Sequence, residues 1–348
     1  MRTKTIILGG LGFIGYHCTL RALTEGHDVT VVDDFSRAGA LANLAELRKR
    51  AIGLEGSFEV CHADIRSAND VDRIFAARRP QLVIHLAAQV AVTASLVDPR
   101  HDFEVNALGT LNVLEAVRCH CPEAFVVFSS TNKVYGGMED VVTVEEPTRY
   151  RYRDYPAGVD EKRTVDFHSP YGCSKGAADQ YVHDYHRIYG LRTTVFRQSC
   201  IYGTNQFGIE DQGWVAWFSI AAVLGRPFTI YGTGKQVRDL LWIDDLCDAY
   251  WRAWRLNRAG RIYNMGGGNQ NMLSLLELLA LLGDLGLAGL TPNYGPPRPG
   301  DQPVYVANTG LARRELDWHP QVDPREGVGR LVNWVKQNSE TIRQTLNF

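Results

Sequence analysis

The sequence predicts an α/β protein built on a doubly wound parallel sheet, with a second, smaller lobe at its C-terminal end. Over the N-terminal half, short runs rich in β-branched residues alternate with helical stretches, which is the pattern of βαβ units. Beyond residue 200 the elements shorten, and turns rich in glycine or proline occur at 232–234 and 296–300. The chain has 348 residues. Because single hydrophobic cores stop growing at roughly 250–300 residues, a division into two lobes is expected.

Six short apolar runs form the predicted parallel strands. They are Thr5–Leu8, Asp28–Val32, Ser57–His62, Leu82–Leu86, Ala124–Phe128 and Thr193–Arg197. Between the fourth and fifth strands, apolar residues at helical spacing predict a helix over Phe103–Cys119. A second long helix is expected over about Tyr171–Tyr189.

Composition and charge argue against several classes of protein. The chain has 37 lysines and arginines and 39 aspartates and glutamates, a net charge of -2 that does not indicate a nucleic-acid-binding surface. No uncharged apolar run approaches the roughly 20 residues needed to span a bilayer, and the first ten residues lack the features of a secretory signal. The seven cysteines are scattered and odd in number, which favours a reducing cytoplasm. Cys119-His120-Cys121 has no second ligand pair, so we interpret it as a helix end and expect no metal site.

A glycine-rich turn directly follows the first predicted strand. Gly9, Gly12 and Gly15 are spaced as GxxGxxG between this strand and a helix. Glycine permits the tight turn and lets the backbone approach a pyrophosphate, while amides at the helix N-terminus favour anionic phosphates. The pattern therefore predicts a dinucleotide site of the Rossmann type. We assign residues 1–198 to the dinucleotide-binding domain, with a returning segment near 230–265, and residues 199–348 to the second lobe.

Asp33, at the end of the second strand, indicates which dinucleotide binds. Its carboxylate can accept hydrogen bonds from both hydroxyls of the adenosine ribose, and its charge would repel a 2′-phosphate, so NAD is favoured over NADP. Arg37 leaves NADP as an alternative cofactor, because a guanidinium can accommodate the 2′-phosphate as well as stack on adenine. Asp64, after the third strand, fits an acid beside the adenine and fits a solvated loop aspartate equally well.

A third group of candidate residues lies partly on the second long helix and partly at the end of the fifth strand. Tyr171 and Lys175 are four residues apart and share one helix face, and Ser129, Ser130 and Thr131 follow the fifth strand. A phenol is a poor base at neutral pH because its unperturbed pKa is about 10. A neighbouring ammonium and an oxidised nicotinamide would both lower that pKa. The pattern predicts that Tyr171 removes a proton from a substrate hydroxyl that Thr131 holds.

These motifs and others along the chain resemble the extended short-chain dehydrogenase/reductases that modify nucleotide-sugars. The similar stretches are GGLGFIG at 9–15, HLAAQ at 85–89, Asn106, SSTNKVYG at 129–136, YGCSK at 171–175, Arg238-Asp239 and Arg298-Pro299-Gly300-Asp301. Within the family, SSTNKVYG, residues 166–181, DQGWV at 211–215 and GKQVRD at 234–239 are most similar to the branch that inverts C2 of CDP-sugars. The resemblance implies NAD as cofactor and a nucleotide-diphosphate sugar as substrate.

By position, the resemblance also implies the site residues. The implied catalytic residues are Thr131, Tyr171 and Lys175. Asn106 is implied to hold the lysine through a water molecule. The residues implied at the dinucleotide are Gly9, Gly12, Phe13, Ile14, Gly15, Asp33, Asp34, Ser36, Arg37, Asp64, Ile65, Leu86, Ala87, Ala88, Gln89, Asn106, Ser129, Tyr171, Lys175 and Gln198. Those implied at the substrate are Thr131, Asn132, Trp214, Tyr231, Arg238, Arg298 and Asp301, with the two arginines on the diphosphate. Relatives often carry other residues at Asp34 and Gln198.

The resemblance further implies assembly. In relatives the two long helices pair with their copies in another subunit, and isologous contacts of that kind predict a homodimer or a tetramer.

Fold alone does not select the reaction, because family members catalyse several reactions in one site. The 4,6-dehydratases place an acid pair directly after the catalytic threonine, whereas Asn132 and Lys133 follow Thr131 here. Dehydration is therefore disfavoured, and epimerisation through transient oxidation is expected. The substrate would be a CDP-sugar inverted at C2 or, alternatively, a UDP-sugar inverted at C4. A dinucleotide-binding sensor without activity is a third hypothesis, against which the retained Tyr171 and Lys175 argue.

Overall fold

The computed structural model describes residues 2–287, 289, 291–298 and 301–348. Pro299 and Gly300, part of the predicted turn at 296–300 and of the predicted substrate motif, lie outside these residues. The strands are β1 (Lys4–Leu8), β2 (Asp28–Asp33), β3 (Ser57–His62), β4 (Leu82–His85), β5 (Phe125–Thr131), β6 (Thr143–Glu145), β7 (Tyr150–Tyr152), β8 (Arg192–Gln198), β9 (Cys200–Tyr202), β10 (Thr229–Tyr231), β11 (Val237–Trp242), β12 (Arg261–Met265), β13 (Met272–Ser274), β14 (Asn293–Gly295) and β15 (Val304–Tyr305).

The described residues also form α-helices. They are α1 (Phe13–Thr24), α2 (Ala40–Arg50), α3 (Ala68–Arg78), α4 (Val92–Val97), α5 (Pro99–Phe103), α6 (Gly109–His120), α7 (Ser169–Tyr189), α8 (Trp214–Leu224), α9 (Ile243–Arg255), α10 (Leu275–Asp284), α11 (Gly310–Leu316), α12 (Pro324–Gln337) and α13 (Ser339–Leu346). No helix among the described residues is both long enough and apolar enough to cross a membrane.

The chain divides into two compact units. The first contains residues 2–134, Ser169–Arg197 and Cys247–Tyr263. The second contains Tyr135–His168, Gln198–Leu246 and the described part of Asn264–Phe348. The chain passes from the first unit to the second at Arg197–Gln198 and at other points, so each unit is assembled from several separate pieces.

The first unit is built around a seven-stranded sheet in the order β12-β8-β5-β4-β1-β2-β3. β1 pairs in parallel with β2 and β4, β2 with β3, and β4 with β5. Strand side chains such as Ile6, Val83 and Val126 are fully buried, as expected for a parallel sheet covered on both faces. The predicted Rossmann-type α/β fold and its six strands are confirmed. β5 runs further than predicted and ends at Thr131, and β12 completes the sheet.

The predicted helix Phe103–Cys119 is wrong in its start and in its regularity. Helical structure begins at Pro99, where the Asp98 side chain accepts a 2.9 Å hydrogen bond from the His101 amide. A π-helical turn over Glu104–Leu108 then separates α5 from α6. The apolar spacing continues on both sides of this turn, so periodicity alone does not reveal it. α6 ends at His120, which confirms Cys119-His120-Cys121 as a helix end.

In the part of the second unit that the structure describes, the strands form three small sheets. β9, β11, β13 and β15 form one, in which β11 pairs in parallel with β9 and β15 and antiparallel with β13. β10 pairs in parallel with β14, and β6 pairs antiparallel with β7. Arg238 lies on β11 opposite Leu273 and Tyr305, and Tyr231 ends β10. These sheets fix the positions of residues that the sequence assigns to the substrate.

Candidate dinucleotide and catalytic site

The turn between β1 and α1 is shaped by its glycines. Gly9 has φ +75°, and a Cβ there would lie 2.7 Å from the Ala87 nitrogen. A Cβ on Gly15 would lie only 2.1 Å from the Gly9 carbonyl oxygen, so the helix packs directly against the turn. Gly12 precedes the helix without a side-chain cap, which leaves the amides of Phe13 and Ile14 at an anion-binding helix N-terminus. This backbone cradle fits the pyrophosphate of a dinucleotide.

Asp33, at the end of β2, lies beside the cradle and is only 7% exposed. Its two carboxylate oxygens accept 2.9 Å hydrogen bonds from the amides of Leu11 and Phe35. Burial raises the pKa of Asp33, and these two bonds act against that rise. Each oxygen keeps a further lone pair, so the carboxylate can still accept the two ribose hydroxyls of NAD.

The residues after Asp33 form a short turn. The exposed Asp34 carboxylate accepts hydrogen bonds from the Ser36 amide and hydroxyl at 3.0 and 2.7 Å. Arg37 is half-buried, and its charge interacts with Tyr171, Asp34 and Asp33. Of the predicted dinucleotide residues on this turn, Arg37 is thus the one whose charge interacts with Tyr171 on α7.

Asp64 and Ile65 follow β3 and differ in exposure. The Asp64 carboxylate accepts 2.9 and 2.8 Å hydrogen bonds from the amide and Nε of Arg66. Burial raises the pKa of Asp64, but the bonds to Arg66 outweigh it and hold the pKa below its usual value. Ile65 is a core side chain packed against Gly109, where a Cβ would lie 2.6 Å from Cδ1 of Ile65. Its carbonyl accepts a hydrogen bond from Asn112.

The segment after β4 joins the glycine turn to the π-helical turn. The Leu86 amide donates a hydrogen bond to the Leu8 carbonyl at 2.9 Å. The Ala87 backbone packs directly against Gly9. Ala88 is half-buried beside them. Gln89 and Asn106 exchange two hydrogen bonds of 3.0 Å, one in each direction. Asn106 also donates to the Ser174 hydroxyl at 3.1 Å, so it contacts the residue before Lys175.

Tyr171, Lys175, Ser129 and Thr131 lie together where α7 meets the end of β5. The Tyr171 side chain is hydrogen-bonded to the Thr131 side chain. The Lys175 ammonium donates to the Ser129 carbonyl at 2.7 Å and lies 4.4 Å from the centre of the Phe128 ring. The structure therefore brings together the four residues that the sequence selects at this point.

Burial dominates the ionisation of this pair. It raises the pKa of Tyr171 to about 12, while the hydrogen bond with Thr131 and the charge of Arg37 lower it in part. Burial lowers the pKa of Lys175 to about 8, against the charges of Asp179 and Asp102. In the protein alone the phenol is thus protonated at neutral pH. The positive charge of an oxidised nicotinamide is the remaining contribution that the sequence analysis expects.

Two buried acids close to Lys175 were missed by sequence analysis. Asp179, one turn further along α7, pairs with Arg197 at 2.8 Å and accepts a hydrogen bond from Ser130. Its spacing of four from Lys175 and an arginine inside an apolar strand were signals that could have found this pair. Asp102 on α5 accepts a hydrogen bond from Ser174. No motif marks it, because its contacts depend on the π-helical turn.

The predicted substrate residues are found in both units. Asn132, in the first unit, is buried and directly follows Thr131. In the second unit, the Arg238 guanidinium donates to the Gln302 carbonyl at 2.8 Å and to Asp301 at 2.6 Å.

Arg298 and Tyr231, each predicted separately at the substrate, contact each other in the second unit. The Arg298 guanidinium lies 4.2 Å from the centre of the Tyr231 ring, and it pairs with Asp211 at 3.1 Å. Trp214 is half-buried at the start of α8, and Gln198 is buried at the end of β8. Within the second unit, the structure thus joins Arg238 to Asp301 and Arg298 to Tyr231.

The fold and the glycine turn define a dinucleotide-binding protein of the Rossmann class, and comparison with known proteins identifies its family. Residues 5–266 match the model of the NAD dependent epimerase/dehydratase family, and the chain belongs to that family. It is 46% identical over 339 residues to CDP-paratose 2-epimerase of Salmonella typhi, covering 95% of this chain and 99% of the relative. The resemblance to nucleotide-sugar-modifying short-chain dehydrogenase/reductases is thereby confirmed.

Solved structures agree with this assignment. The UDP-glucose 4-epimerase of Thermotoga maritima with UDP-glucose superposes with a TM-score of 0.81 at 29% identity, covering 97% of this chain and 100% of the other. The UDP-glucose 4-epimerase of Thermus thermophilus in complex with NAD gives a TM-score of 0.77 at 30% identity, with coverages of 95% and 98%. NAD is therefore the family's cofactor, and the cradle beside Asp33 suits it.

Proposed function

We propose that the protein is an NAD-dependent epimerase that inverts C2 of a CDP-sugar and interconverts CDP-paratose and CDP-tyvelose. The observation that carries the reaction class is the buried pair of Tyr171 and Thr131, with Lys175 on the same helix face. The choice of a CDP-sugar and of C2 is supported by the 46% identity to CDP-paratose 2-epimerase over nearly both whole chains.

The chain's own groups supply the proton chemistry. Thr131 holds the C2 hydroxyl, and the Tyr171 phenolate removes its proton. Lys175 stabilises the phenolate by its charge and is held in place by the Ser129 carbonyl. NAD, which the glycine turn and Asp33 would hold, would supply a hydride acceptor for C2 and would give the hydride back to the opposite face once the keto-sugar has turned over. Tyr171 then gives its proton back to the sugar oxygen, so the residues end the cycle as they began.

The residue after Thr131 argues for epimerisation and against elimination of water. Asn132 occupies the position at which the 4,6-dehydratases carry an acid, and its amide cannot donate or accept a proton in an elimination. The keto-sugar therefore keeps its substituents, and the reaction that remains is inversion.

Arginines of the second unit are proposed to bind the substrate diphosphate. Arg238 and Arg298 present planar guanidinium groups suited to two phosphate oxygens each. Asp301 orients Arg238, while Tyr231 and Trp214 are proposed to contact the base or the sugar.

We also propose a homodimer or tetramer in a reducing cytoplasm. The support for assembly is a set of exposed apolar side chains on the two long helical segments, among them Phe103, Tyr181 and Ile188. The support for the compartment is the odd and scattered set of seven cysteines.

The experiment that tests the proposed function is turnover of defined substrates followed by NMR. Purified protein with NAD is incubated separately with CDP-, UDP- and GDP-hexoses, including CDP-paratose. We expect a C2 epimer from the CDP-sugar alone. A C4 epimer from a UDP-sugar would replace the proposal with the 4-epimerase, and NAD binding without turnover of any substrate would replace it with the sensor.

A further inference from the structure

Asp102 is fully buried in the first unit, with 0% of its surface exposed to solvent. Its oxygens accept hydrogen bonds from Gln89 Nε2 at 2.8 Å, from Asn106 Nδ2 at 3.2 Å and from the Ser174 hydroxyl. All three donors are neutral. A buried carboxylate normally pairs with a cation, because an isolated buried charge costs far more than a buried polar group.

The buried charges around Lys175 account for this exception. Asp179 and Arg197 form an ion pair with side-chain exposures of 0% and 4%, so Asp179 has a buried cation of its own, although its charge also raises the pKa of Lys175. His85, which also faces Lys175, is neutral because burial lowers its pKa to about 3. Lys175 and Asp102 remain as one buried cation and one buried anion, and each acts on the charge of the other. Ser174, which donates to Asp102, directly precedes Lys175 on α7.

We propose that Asp102 is a positioning residue whose carboxylate acts beside that of Asp179 as a counter-charge of Lys175 and so helps to set the protonation of the Tyr171–Lys175 pair. This inference rests on the proposed function, in which these two residues carry the proton chemistry. Through Gln89 and Ser174, the same carboxylate also ties the loop after β4 to α7. It thereby holds the predicted dinucleotide loop against the helix that bears both residues.

The direction of the effect follows from the sign of the charge. A negative charge favours the protonated form of both neighbours, so Asp102 raises the pKa of Tyr171 and that of Lys175. The other groups that face the pair are Asp179 on α7, His85 on β4, Arg37 near Tyr171 and His101 beside Asp102. Neutralising Asp102 alone therefore moves both titrations to lower pH.

The test compares Asp102→Asn with Ser174→Ala. The first variant removes the charge and keeps the shape, whereas the second removes one hydrogen bond to the same carboxylate and keeps the charge. The chain has only seven lysines. The titration of Lys175 can thus be followed by NMR in NAD-bound protein labelled with ¹³Cε-lysine, its signal assigned by Lys175→Met.

We expect Asp102→Asn to lower the Lys175 midpoint by about one pH unit, the size typical of a nearby buried charge. Both limbs of the kcat profile should move to lower pH with it. Ser174→Ala should leave the midpoint where it is. An unmoved midpoint in Asp102→Asn, or equal shifts in both variants, would overturn the proposal. So would an Asp102→Asn protein that has lost NAD binding or cooperative unfolding, since that result would show a purely structural role.

The lysine titration needs no substrate, which separates the two proposals. A shifted midpoint in a protein that epimerises no sugar would contradict the proposed function alone. A normal rate of epimerisation with an unmoved midpoint would contradict the role of Asp102 alone.

Discussion

Tyr171 and Lys175 experience opposite effects of the same burial. The phenol, 7% exposed, has its pKa raised to about 12, whereas the ammonium, 4% exposed, has its pKa lowered to about 8. Both shifts favour the neutral forms. At pH 7 the lysine is still charged, and the tyrosine ionises only when a further positive charge or a bound substrate favours the phenolate. Under the proposed mechanism, the pair would therefore act as a base only once the cofactor or the substrate is bound.

Replacing Tyr171 with phenylalanine tests the base directly. The variant keeps the ring in the core and loses only the ionisable oxygen, so the fold and NAD binding should persist. We expect kcat to fall roughly 10²–10⁴-fold, the usual contribution of a general acid-base group. Turnover by the variant at the wild-type rate, measured by NMR, would assign the base to another residue.

Lys175→Ala should also be slow, and its rate should recover in part as the pH is raised. Without the ammonium, the Tyr171 phenolate forms only at higher pH, so the acid limb of the kcat profile moves upward. In the wild type, by contrast, activity should decline above about pH 8 as Lys175 itself loses its proton. A Lys175→Ala profile parallel to that of the wild type would show that the lysine only holds the cofactor.

At the scale of elements, local rules predicted the parallel strands and the glycine turn, because each depends on neighbours in the sequence. The π-helical turn over Glu104–Leu108 and the buried Asp102 could not be predicted in this way. Asn106 was selected only by resemblance. Its contacts with Gln89 and Ser174 come from residues 17 and 68 positions away, and no spacing rule reaches that far.

The packing of α1 on the glycine turn gives a prediction about stability. In Gly15→Ala the new Cβ would lie 2.1 Å from a backbone oxygen that cannot move aside. We expect a loss of about 1–3 kcal/mol, as for other overpacked sites, together with weaker NAD binding.

Gly283→Ala in α10 is the matched control, since a Cβ there meets nothing within 4 Å. Its helical position should make the protein more stable by about 0.5–1 kcal/mol. Urea unfolding measures both variants. Equal midpoints for the two would show that the turn tolerates a side chain.

At the scale of the whole molecule, the sequence predicted two lobes but not how the chain is shared between them. The segment Tyr135–His168 belongs to the second unit, although in the sequence it comes between β5 and α7 of the first unit. Sequence patterns do not predict which unit such a segment joins, because that assignment depends on contacts between distant parts of the chain. The arginines of the second unit were likewise selected only by resemblance, since an isolated arginine carries no signal of its own, and their partners Asp301 and Tyr231 are seen only in the structure.

Assembly gives a prediction at this scale. Ile188 on α7 is 66% exposed, and Tyr181 and Tyr189 on the same helix are about half exposed. We expect sedimentation at micromolar concentration to show a dimer or tetramer, and Ile188→Glu to weaken it by placing a charge in an apolar interface. Ile52→Glu, at a site 83% exposed after α2, is the control and should leave the assembly intact. A wild-type protein that is only monomeric would contradict the proposed pairing.

The central claim is that the sugar is inverted by removal and return of hydrogen at C2. The most direct measurement uses CDP-paratose deuterated at C2, with the product examined by NMR and mass spectrometry. The account predicts that the epimer retains its deuterium, and that the same reaction with unlabelled sugar in D2O introduces none. Solvent deuterium at the inverted carbon would contradict the account and would point instead to deprotonation next to a carbonyl.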